Sequence, residues 1–471
     1  MNIFSLEEPE LEFAGGQKHV DIRFGLSSYG PLDLLSDLAP KSIRLGLVGT
    51  SESIDGFAKW VERCAQGVPA KVSKQPHLFP AFPSMDGKTA FHCDLVMHPS
   101  LQRTIPRQKC LVLGGIGSIE QRIIQAVELF AAEIAHLAET ANPDVVACAF
   151  PSELVGILDD PNQTTPFDFH DLLKARVMET RLPIQIVLPS LYDPSRAKMQ
   201  RKTGLARTLQ DEATRAWNIY TALYYKARGT PWRLRRDSCD LDTCYVGVSF
   251  YQSLDRASLR TSIAQIFNER GEGVVIRGAE VEVEVSKTDR QAHLEEADAF
   301  SLLQEALARY KSEHKNLPAR LVLHKTSSYS EDELSGFRQA LAEADIEIYD
   351  FLNFRKSSLR LYREGVYPPL RGTVLDLTDG EFLIYTKGSV PFFETYPGMY
   401  VPRPLRANVA HSENTTRFLG NEVLALTKLN WNSTQFDGAE PVTIQAARDV
   451  GRVLRFCGPN DSIAAHYSFY M

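Results

Sequence analysis

The feature that most constrains this chain of 471 residues is a hydrophobic periodicity that alternates between strand and helix over most of its length. Short apolar runs alternate with longer segments whose apolar side chains recur at helical spacing. Strands are expected at residues 43–48, 110–113, 144–150 and 183–188, and helices at 54–65, 119–140 and 211–226. Strands that alternate with helices predict a parallel, doubly wound sheet.

The pattern changes after residue 228. In this second part of the chain, consecutive strands are expected at the start, and long helices separate the later strands. Strands are expected at residues 245–251, 273–277, 280–285, 321–324 and 346–351, and helices at 291–314 and 331–344. This order is typical of an RNase H-like layout rather than of a second Rossmann domain. The predicted fold class is therefore α/β, with a Rossmann-like domain over residues 41–228 and an RNase H-like domain over 229–471.

The first 40 residues form an irregular segment that is too short to fold alone, so it is expected to pack against a later part of the chain. They also lack the basic start and the apolar stretch of a signal peptide. No window approaches the roughly 18 apolar residues of a membrane span. We therefore expect a cytoplasmic protein with no membrane partner. The seven cysteines form no C-x-x-C pair, which indicates reduced, buried thiols.

The charge of the chain is distributed unevenly. The whole chain carries a net charge of −7, which taken alone argues against a nucleic-acid partner. Residues 196–236, however, contain eleven basic residues against only Asp211 and Glu212, a local net charge of +9. Lys198 and Lys202 are four residues apart, and with the amide of Gln210 they suit a terminal phosphate. This basic band, residues 196–236, predicts polyanion binding.

A weaker basic cluster follows the strand expected at 346–351. Its members are Arg355, Lys356, Arg360, Arg363 and Arg371, interleaved with Tyr362 and Tyr367. Basic residues mixed with aromatic ones suit a groove that follows a nucleic-acid backbone.

Nuclease chemistry with two metal ions requires carboxylates at the strand ends of an RNase H-like sheet. The leading strand instead offers Ser249, and the strand at 321–324 runs into Thr326. His466 is a plausible ligand type near the end of the sequence. These residues predict a protein that binds nucleic acid and does not cut it. Two alternatives remain: an active nuclease with unusual ligands, such as His466 with Glu295, and a nucleotide-binding enzyme built on the glycine-rich segment 114–118.

The sequence resembles the short prokaryotic Argonautes, which contain only MID and PIWI domains. The resemblance covers nearly the whole chain and rests on YGP at 29–31, PDVV at 143–146, YYKARGTPWRL at 224–234, LHK at 323–325 and AHYSFYM at 465–471. It implies a Rossmann-like MID domain that binds the 5′ phosphate of a guide strand. It also implies an RNase H-like PIWI domain that holds the duplex of guide and target.

The resemblance also implies roles for single residues. The family's phosphate pocket follows the order aromatic or basic residue, Lys four residues later, Gln, then a Lys at the end of the MID helix. Lys198, Lys202, Gln210 and Lys226 fit that order, and the terminal carboxylate at Met471 would help bind a magnesium ion with the phosphate. Ser249 and Thr326 correspond to two aspartates of the catalytic tetrad and His466 to its fourth member, while Glu295 or Glu296 is near the glutamate position. Slicing should therefore be absent.

Partners are likewise implied by the resemblance. In the family, a guide RNA and complementary single-stranded DNA activate an effector that contains an APAZ domain, in prokaryotic immunity. The effector is fused to a sirtuin-like, TIR or nuclease domain, and the sirtuin-like and TIR types deplete NAD and kill or arrest the invaded cell. The resemblance favours the sirtuin-like type here. This chain would be the sensor and its partner the enzyme.

Overall fold

The computed structural model describes residues 1–160, 164–196, 209–235, 240–254, 259–267, 273–277, 291–362, 364, 368–377, 380–398, 401–435, 438–458 and 461–471, with the backbone alone for 262–267 and 273–277. Lys198, Lys202, Arg363, Tyr367 and the strand expected at 280–285 lie outside the described residues.

The first part of the chain contains eight strands and seven helices within the described residues. They are β1 (Asn2–Ser5), β2 (Leu11–Glu12), β3 (Lys18–His19), α1 (Ile22–Tyr29), β4 (Ser42–Gly49), α2 (Ser51–Cys64), β5 (Asp94–Val96), β6 (Gln102–Thr104), α3 (Arg107–Val112), α4 (Ile119–Thr140), β7 (Val145–Ala149), α5 (Ser152–Ile157), α6 (Phe169–Val177), β8 (Ile184–Val187) and α7 (Glu212–Lys226).

A parallel sheet organises this part. Its strands run in the order β5-β4-β7-β8. β5 pairs with the first residues of β4, and β6 pairs with its last residues. All five residues of β7 are buried, as a central parallel strand covered on both faces requires. The doubly wound layout expected from the periodicity is confirmed.

The strand expected at residues 110–113 is wrong, because those residues belong to α3 and the turn after it. Cys110 is buried, whereas Leu111 and Val112 are 44% and 61% exposed, so only one side of the segment enters the core. A short apolar run does not by itself distinguish a strand from a helical turn.

The second part contains nine strands and four helices within the described residues. They are β9 (Arg233–Leu234), β10 (Thr243–Gln252), β11 (Leu259–Phe267), β12 (Gly273–Arg277), α8 (Glu296–His314), β13 (Arg320–Lys325), α9 (Glu331–Glu343), β14 (Ile348–Lys356), β15 (Thr373–Asp376), β16 (Glu381–Ile384), β17 (Leu405–His411), α10 (Thr416–Leu426) and α11 (Val442–Leu454).

These strands build a mixed nine-stranded sheet in the order β1-β15-β16-β17-β14-β13-β10-β11-β12. The three strands β14, β13 and β10 are parallel, and the remaining pairs are antiparallel. Val246 and Val248 pack with α8 and α9 on one face. On the other face, a Cβ at Gly247 would overlap the Thr443 carbonyl of α11. Successive β10 residues thus face opposite helix layers, as strand geometry dictates.

The N-terminal segment is tied to the second part by pairing and by charge. β1 forms the edge of the nine-stranded sheet beside β15, and β2 lies between β3 and β9. Glu8 forms ion pairs with Arg371 (3.0 Å) and Lys428 (2.8 Å), whose side chains are fully buried. Two further ion pairs on this segment involve Glu10 and Glu12.

None of the helices in the described part of the chain combines the length and the apolar character that a membrane crossing needs.

Candidate nucleic-acid interface

Lys226 ends α7 and is only 2% exposed. Its Nζ donates to the Gln185 side-chain oxygen at 2.6 Å and to the Met471 main-chain oxygen at 3.2 Å. Burial, and then the charge of Lys174, hold the pKa of Lys226 well below its ordinary value. A buried ammonium group is stabilised by an arriving anion.

Lys174 brings a second buried ammonium group to the same place from a different helix. It lies on α6, is 3% exposed, and donates to the Tyr470 carbonyl at 3.0 Å. Burial lowers the pKa of Lys174 to about 8. Lys174, Gln185 and Lys226, with the carbonyls of Tyr470 and Met471, therefore form one cluster, which we call the lysine cluster. Strongly shifted pKa values in such a cluster mark a candidate functional site.

A group of acidic side chains lies beside the lysine cluster. Asp171 lies 3.1 Å from the His170 ring nitrogen and 3.6 Å from the Arg452 guanidinium. Asp449 accepts a hydrogen bond from the Tyr467 hydroxyl at 3.3 Å. The side chains of His170 and Arg452 are 43% and 58% exposed. This acidic group therefore lies between the buried lysine cluster and the protein surface.

The Met471 main-chain oxygen lies beside a positive charge. Main-chain and carboxylate oxygens are ligands that Mg²⁺ accepts, and this oxygen already accepts a hydrogen bond from the Lys226 ammonium group. A divalent cation there would face an adjacent positive charge. Ligand atoms of Asp168, His170 and Asp171 lie within 4.8 Å of one another and form a possible cation cluster, although Asp168 also caps α6.

Gln210 does not join Lys226. It is exposed just before α7, and its side-chain oxygen accepts a hydrogen bond from Asn218 at 3.1 Å. At 1.5 Å per residue, the helix separates Gln210 from Lys226 by roughly 24 Å. Gln185 of β8 instead supplies the amide that contacts Lys226.

The basic band is partly neutralised by acidic residues. Arg233 pairs with Glu12 at 2.8 Å, Arg235 with Glu10 at 3.0 Å and Arg196 with Asp193 at 3.5 Å. The positive charge available to a ligand is therefore smaller than the local count of +9 suggests.

Ser249 and Thr326 lie side by side just past the last residue pair of the parallel strands β10 and β13, with Ser249 still inside β10. β10 and β13 pair Val248 with Lys325, and the Thr326 backbone N–H donates to the Val248 carbonyl at 3.2 Å. Ser249 is 2% exposed. By strand alternation, Ser249 lies on the sheet face that carries α11, as does Gly247. The pair of strand ends expected in an RNase H-like domain is thus present, with hydroxyl side chains.

His466 lies with the end of α7. Its Nδ1 accepts from the Ser468 backbone N–H at 3.3 Å, and its ring centroid is 5.4 Å from that of Tyr225. Burial, and then the charge of Arg228, lower the pKa of His466 to about 4. The following turn, Tyr467–Phe469, packs on α7 and on β12, two strands from β10.

Other side chains reach the face that carries the strand ends. At the start of α11, the Thr443 hydroxyl lies 2.8 Å from Nδ1 of the buried His324, two residues before Thr326. Glu295 and Glu296, in contrast, stand at the start of α8, which packs on the opposite face. The sequence offered no signal for Thr443, because only the packing of α11 brings it to the strand.

A polar cleft of about 400 Å³ runs along α11 to Arg452. Its lining includes Lys387, Asn430, Ser433, Gln435, Gln445 and Arg448. Because Arg452 also contacts Asp171, this α11 cleft ends beside the lysine cluster.

The basic cluster that begins in the last two residues of β14 divides into two environments. Arg355, Lys356 and Arg360 are exposed, and Tyr362 is 78% exposed. Arg371 is instead buried against Glu8, so it belongs to the core. The exposed residues form a basic and aromatic surface, which we call the β14 loop.

No family model matches the sequence, and no curated protein matches it. Solved structures, in contrast, match the chain. The chain is similar to Clostridium butyricum Argonaute bound to a guide DNA and a 19-mer target DNA, at 14% identity and a TM-score of 0.64, over 97% of this chain and 53% of that one. It is also similar to Aa-Ago with externally bound siRNA (12% identity, TM-score 0.61, 100% and 55% of the two chains) and to Drosophila Piwi (12%, 0.60, 99% and 56%).

The chain therefore spans about half the length of the structures that it matches. At these identities the likeness shows the fold: a mixed α/β architecture similar to the MID and PIWI domains of Argonautes. The predicted fold class is confirmed.

Proposed function

We propose that this chain, with the fold of the MID and PIWI half of an Argonaute, is a catalytically inactive sensor loaded with a guide. It binds the 5′ phosphate of a guide RNA at the lysine cluster and recognises complementary single-stranded DNA. It then activates an APAZ-containing effector in prokaryotic immunity.

The lysine cluster carries this proposal. Lys174 and Lys226 come from separate helices, are buried, and direct their ammonium groups at oxygens of Tyr470, Gln185 and Met471. A terminal phosphate offers several acceptor oxygens and up to two negative charges, which such a pair of donors can bind. Gln185 adds an amide group. His170, Lys174, Gln185 and Lys226 also follow the family order of pocket residues given above.

Two surfaces support a path for the rest of the strand. The α11 cleft leads away from the lysine cluster and is lined by amide, hydroxyl and basic side chains that can contact a phosphodiester backbone, together with Glu440 and Asp449, which pair with Arg448 and Arg452. The β14 loop adds exposed arginine and lysine with an exposed tyrosine, a combination that suits backbone contact and base stacking.

We expect no guided cleavage. Ser249 and Thr326 replace bridging carboxylates with hydroxyls, which removes negative charge needed to hold a metal pair. With a matched guide and target, magnesium or manganese should leave the target intact, and His466→Ala should give the same result. Cleavage that requires a metal and is lost in His466→Ala would instead support the active nuclease.

The kind of partner protein is inferred from the resemblance to short Argonautes alone. The proposed effector is an APAZ protein with a sirtuin-like domain, and TIR or nuclease domains are the alternatives. The test is to mix the chain with the effector, guide RNA and target DNA, and to measure NAD. Loss of NAD that needs all four components supports the sirtuin-like or TIR type. NAD that stays constant while the effector cuts nucleic acid supports the nuclease type.

A magnesium ion with the guide phosphate belongs to the proposal only as an expectation from the family. The Met471 main-chain oxygen accepts a hydrogen bond from Lys226, and we assign the metal no step in binding.

The glycine-rich segment 114–118 does not support the nucleotide-binding alternative. It follows α3 and a short turn rather than a strand, so the strand-to-helix loop that such a site requires is absent there. Open space surrounds Gly115 and Gly117, where a Cβ would meet no atom within 4 Å in the described structure.

A further inference from the structure

β1 forms an edge of the nine-stranded sheet. It pairs with β15 on one side, and no strand among the described residues lies on its other side. Edge strands are commonly blocked by charged side chains, by proline or by a bulge. β1 has the sequence NIFS, which contains no charge and no proline, and its register with β15 is regular. The outer side of this strand is therefore open to pairing with another strand.

The register with β15 determines which backbone groups of β1 point outward. The Leu6 N–H donates to the Gly372 carbonyl at 2.9 Å, so the even-numbered residues direct their backbone groups at β15. These groups alternate along an antiparallel strand, so Ile3 and Ser5 direct theirs away from the sheet. The Arg417 guanidinium contacts the Ser5 carbonyl at 3.4 Å. Among the described residues, the N–H and C=O of Ile3 have no such partner.

The Ile3 side chain ends a row of apolar side chains that crosses the sheet. Ile3 lies opposite Leu375, and Leu375 lies opposite Leu383. The three share the face away from α10, because the alternate residues of these strands pack on that helix. Leu375 and Leu383 are 4% and 3% exposed, whereas Ile3 is 59% exposed. An added strand with an apolar residue opposite Ile3 would extend this row.

We propose that β1 pairs antiparallel with β1 of a second copy of this chain, with Ile3 opposite Ile3 on a twofold axis. The two Ile3 residues then exchange both of their outward backbone hydrogen bonds. The apolar row runs through the axis from Leu383 and Leu375 of one copy to the same residues of the other. A twofold contact of this kind requires a surface that is complementary to itself.

Charge and register favour a second copy as the occupant of this edge. A second copy supplies an uncharged strand that carries isoleucine at the position where the row stops. The charged residues beside β1 are Glu7 and Arg417, which lie near its Ser5 end. Antiparallel pairing places these two ends apart, so like charges do not face each other. The contact involves one short strand, so we expect a weak dimer whose population rises with protein concentration.

The test is sedimentation of the full chain over a range of protein concentrations, without nucleic acid or effector. The wild type should show a monomer–dimer equilibrium. Ile3→Lys places two like charges on the axis and should raise the dissociation constant about tenfold or more. Ile3→Val should keep the dimer. Val72→Lys is the matched control, because Val72 is 100% exposed in the loop between α2 and β5, and it should behave like the wild type.

Hydrogen exchange of the peptide that contains β1 gives a second measurement, which needs only the wild type. Exchange at Ile3 should slow as the protein concentration rises, because its N–H becomes hydrogen-bonded in the dimer. This result is expected whether or not Ile3→Lys folds. Equal melting temperatures for Ile3→Lys and Val72→Lys would show that the lysine acts on pairing rather than on folding.

The inference is overturned if the wild type stays monomeric at every concentration, or if Ile3→Lys folds and dimerises as the wild type does. Protection of β1 that appears only when the proposed effector is added would assign the edge to the effector, and would also overturn it. The inference does not depend on the proposed function, which is tested separately by the preference for a 5′ phosphate.

Discussion

Replacing Lys226 with methionine should weaken binding of a 5′-phosphorylated RNA by about 10- to 150-fold, and should remove most of the preference over the same RNA with a 5′ hydroxyl. Methionine fills a similar volume but cannot donate. The loss corresponds to one charge-assisted hydrogen bond of about 1.5–3 kcal/mol. Lys174→Met should act in the same direction, because it removes the second buried donor of the lysine cluster.

The control for this experiment is Lys311→Met, an exposed lysine of α8 that contacts neither the lysine cluster nor the α11 cleft among the described residues. It should leave both RNAs unaffected. Thermal unfolding separates binding from folding: Lys226→Met leaves the Gln185 and Met471 oxygens without a donor, so the melting temperature shows how much of the fold the variant keeps. Equal weakening of the phosphorylated and hydroxyl RNAs would contradict a role for Lys226 in phosphate recognition.

Glu8→Ala should strongly destabilise the folded chain. It leaves Arg371 and Lys428, both with fully buried side chains, without their shared carboxylate. Breaking a buried ion pair by removing one partner costs about 3–5 kcal/mol. Because Lys428 also donates to the Pro9 and Val20 carbonyls, the change should loosen the N-terminal segment as well.

Glu7→Ala is the matched control, since Glu7 is exposed and next in sequence. Thermal or urea unfolding should show a large loss of stability for Glu8→Ala and almost none for Glu7→Ala. Limited proteolysis should then release the N-terminal segment from Glu8→Ala first. Equal unfolding curves for the two variants would show that Glu8 does not hold the segment.

The sequence predicted the helices and strands best where the hydrophobic period was long. The helix expected at 119–140 matches α4, Ile119–Thr140, because its apolar side chains recur over six turns. The short run at 110–113 failed because four apolar residues do not define a period.

The lysine cluster, the proposed phosphate pocket, could be predicted only in part. The resemblance implied Lys226 at the end of a recognisable helix, but neither Lys174 nor Gln185 was predicted. The order basic or aromatic residue, Lys, Gln, Lys fits both Lys198, Lys202, Gln210 and Lys226 and the set that begins at His170. Helix length separates the two sets, since Gln210 lies before the first turn of α7 and Lys226 in the last.

The charge count of the basic band overstates the positive charge that is free to bind a ligand, for a related reason. A count along the chain cannot show that Glu10 and Glu12 would lie against Arg235 and Arg233, more than 200 residues later. The two groups meet because β2 pairs with β9. The acidic N-terminus therefore neutralises Arg233 and Arg235 of the basic band.

The most direct test of the central claim is the affinity of the purified full chain for one RNA sequence made with a 5′ phosphate and with a 5′ hydroxyl. The proposal predicts that the phosphorylated RNA binds at least about tenfold more tightly, as one charge-assisted contact requires, and that Lys226→Met brings the two affinities together. Equal affinities in the wild type would contradict a guide-phosphate site at the lysine cluster.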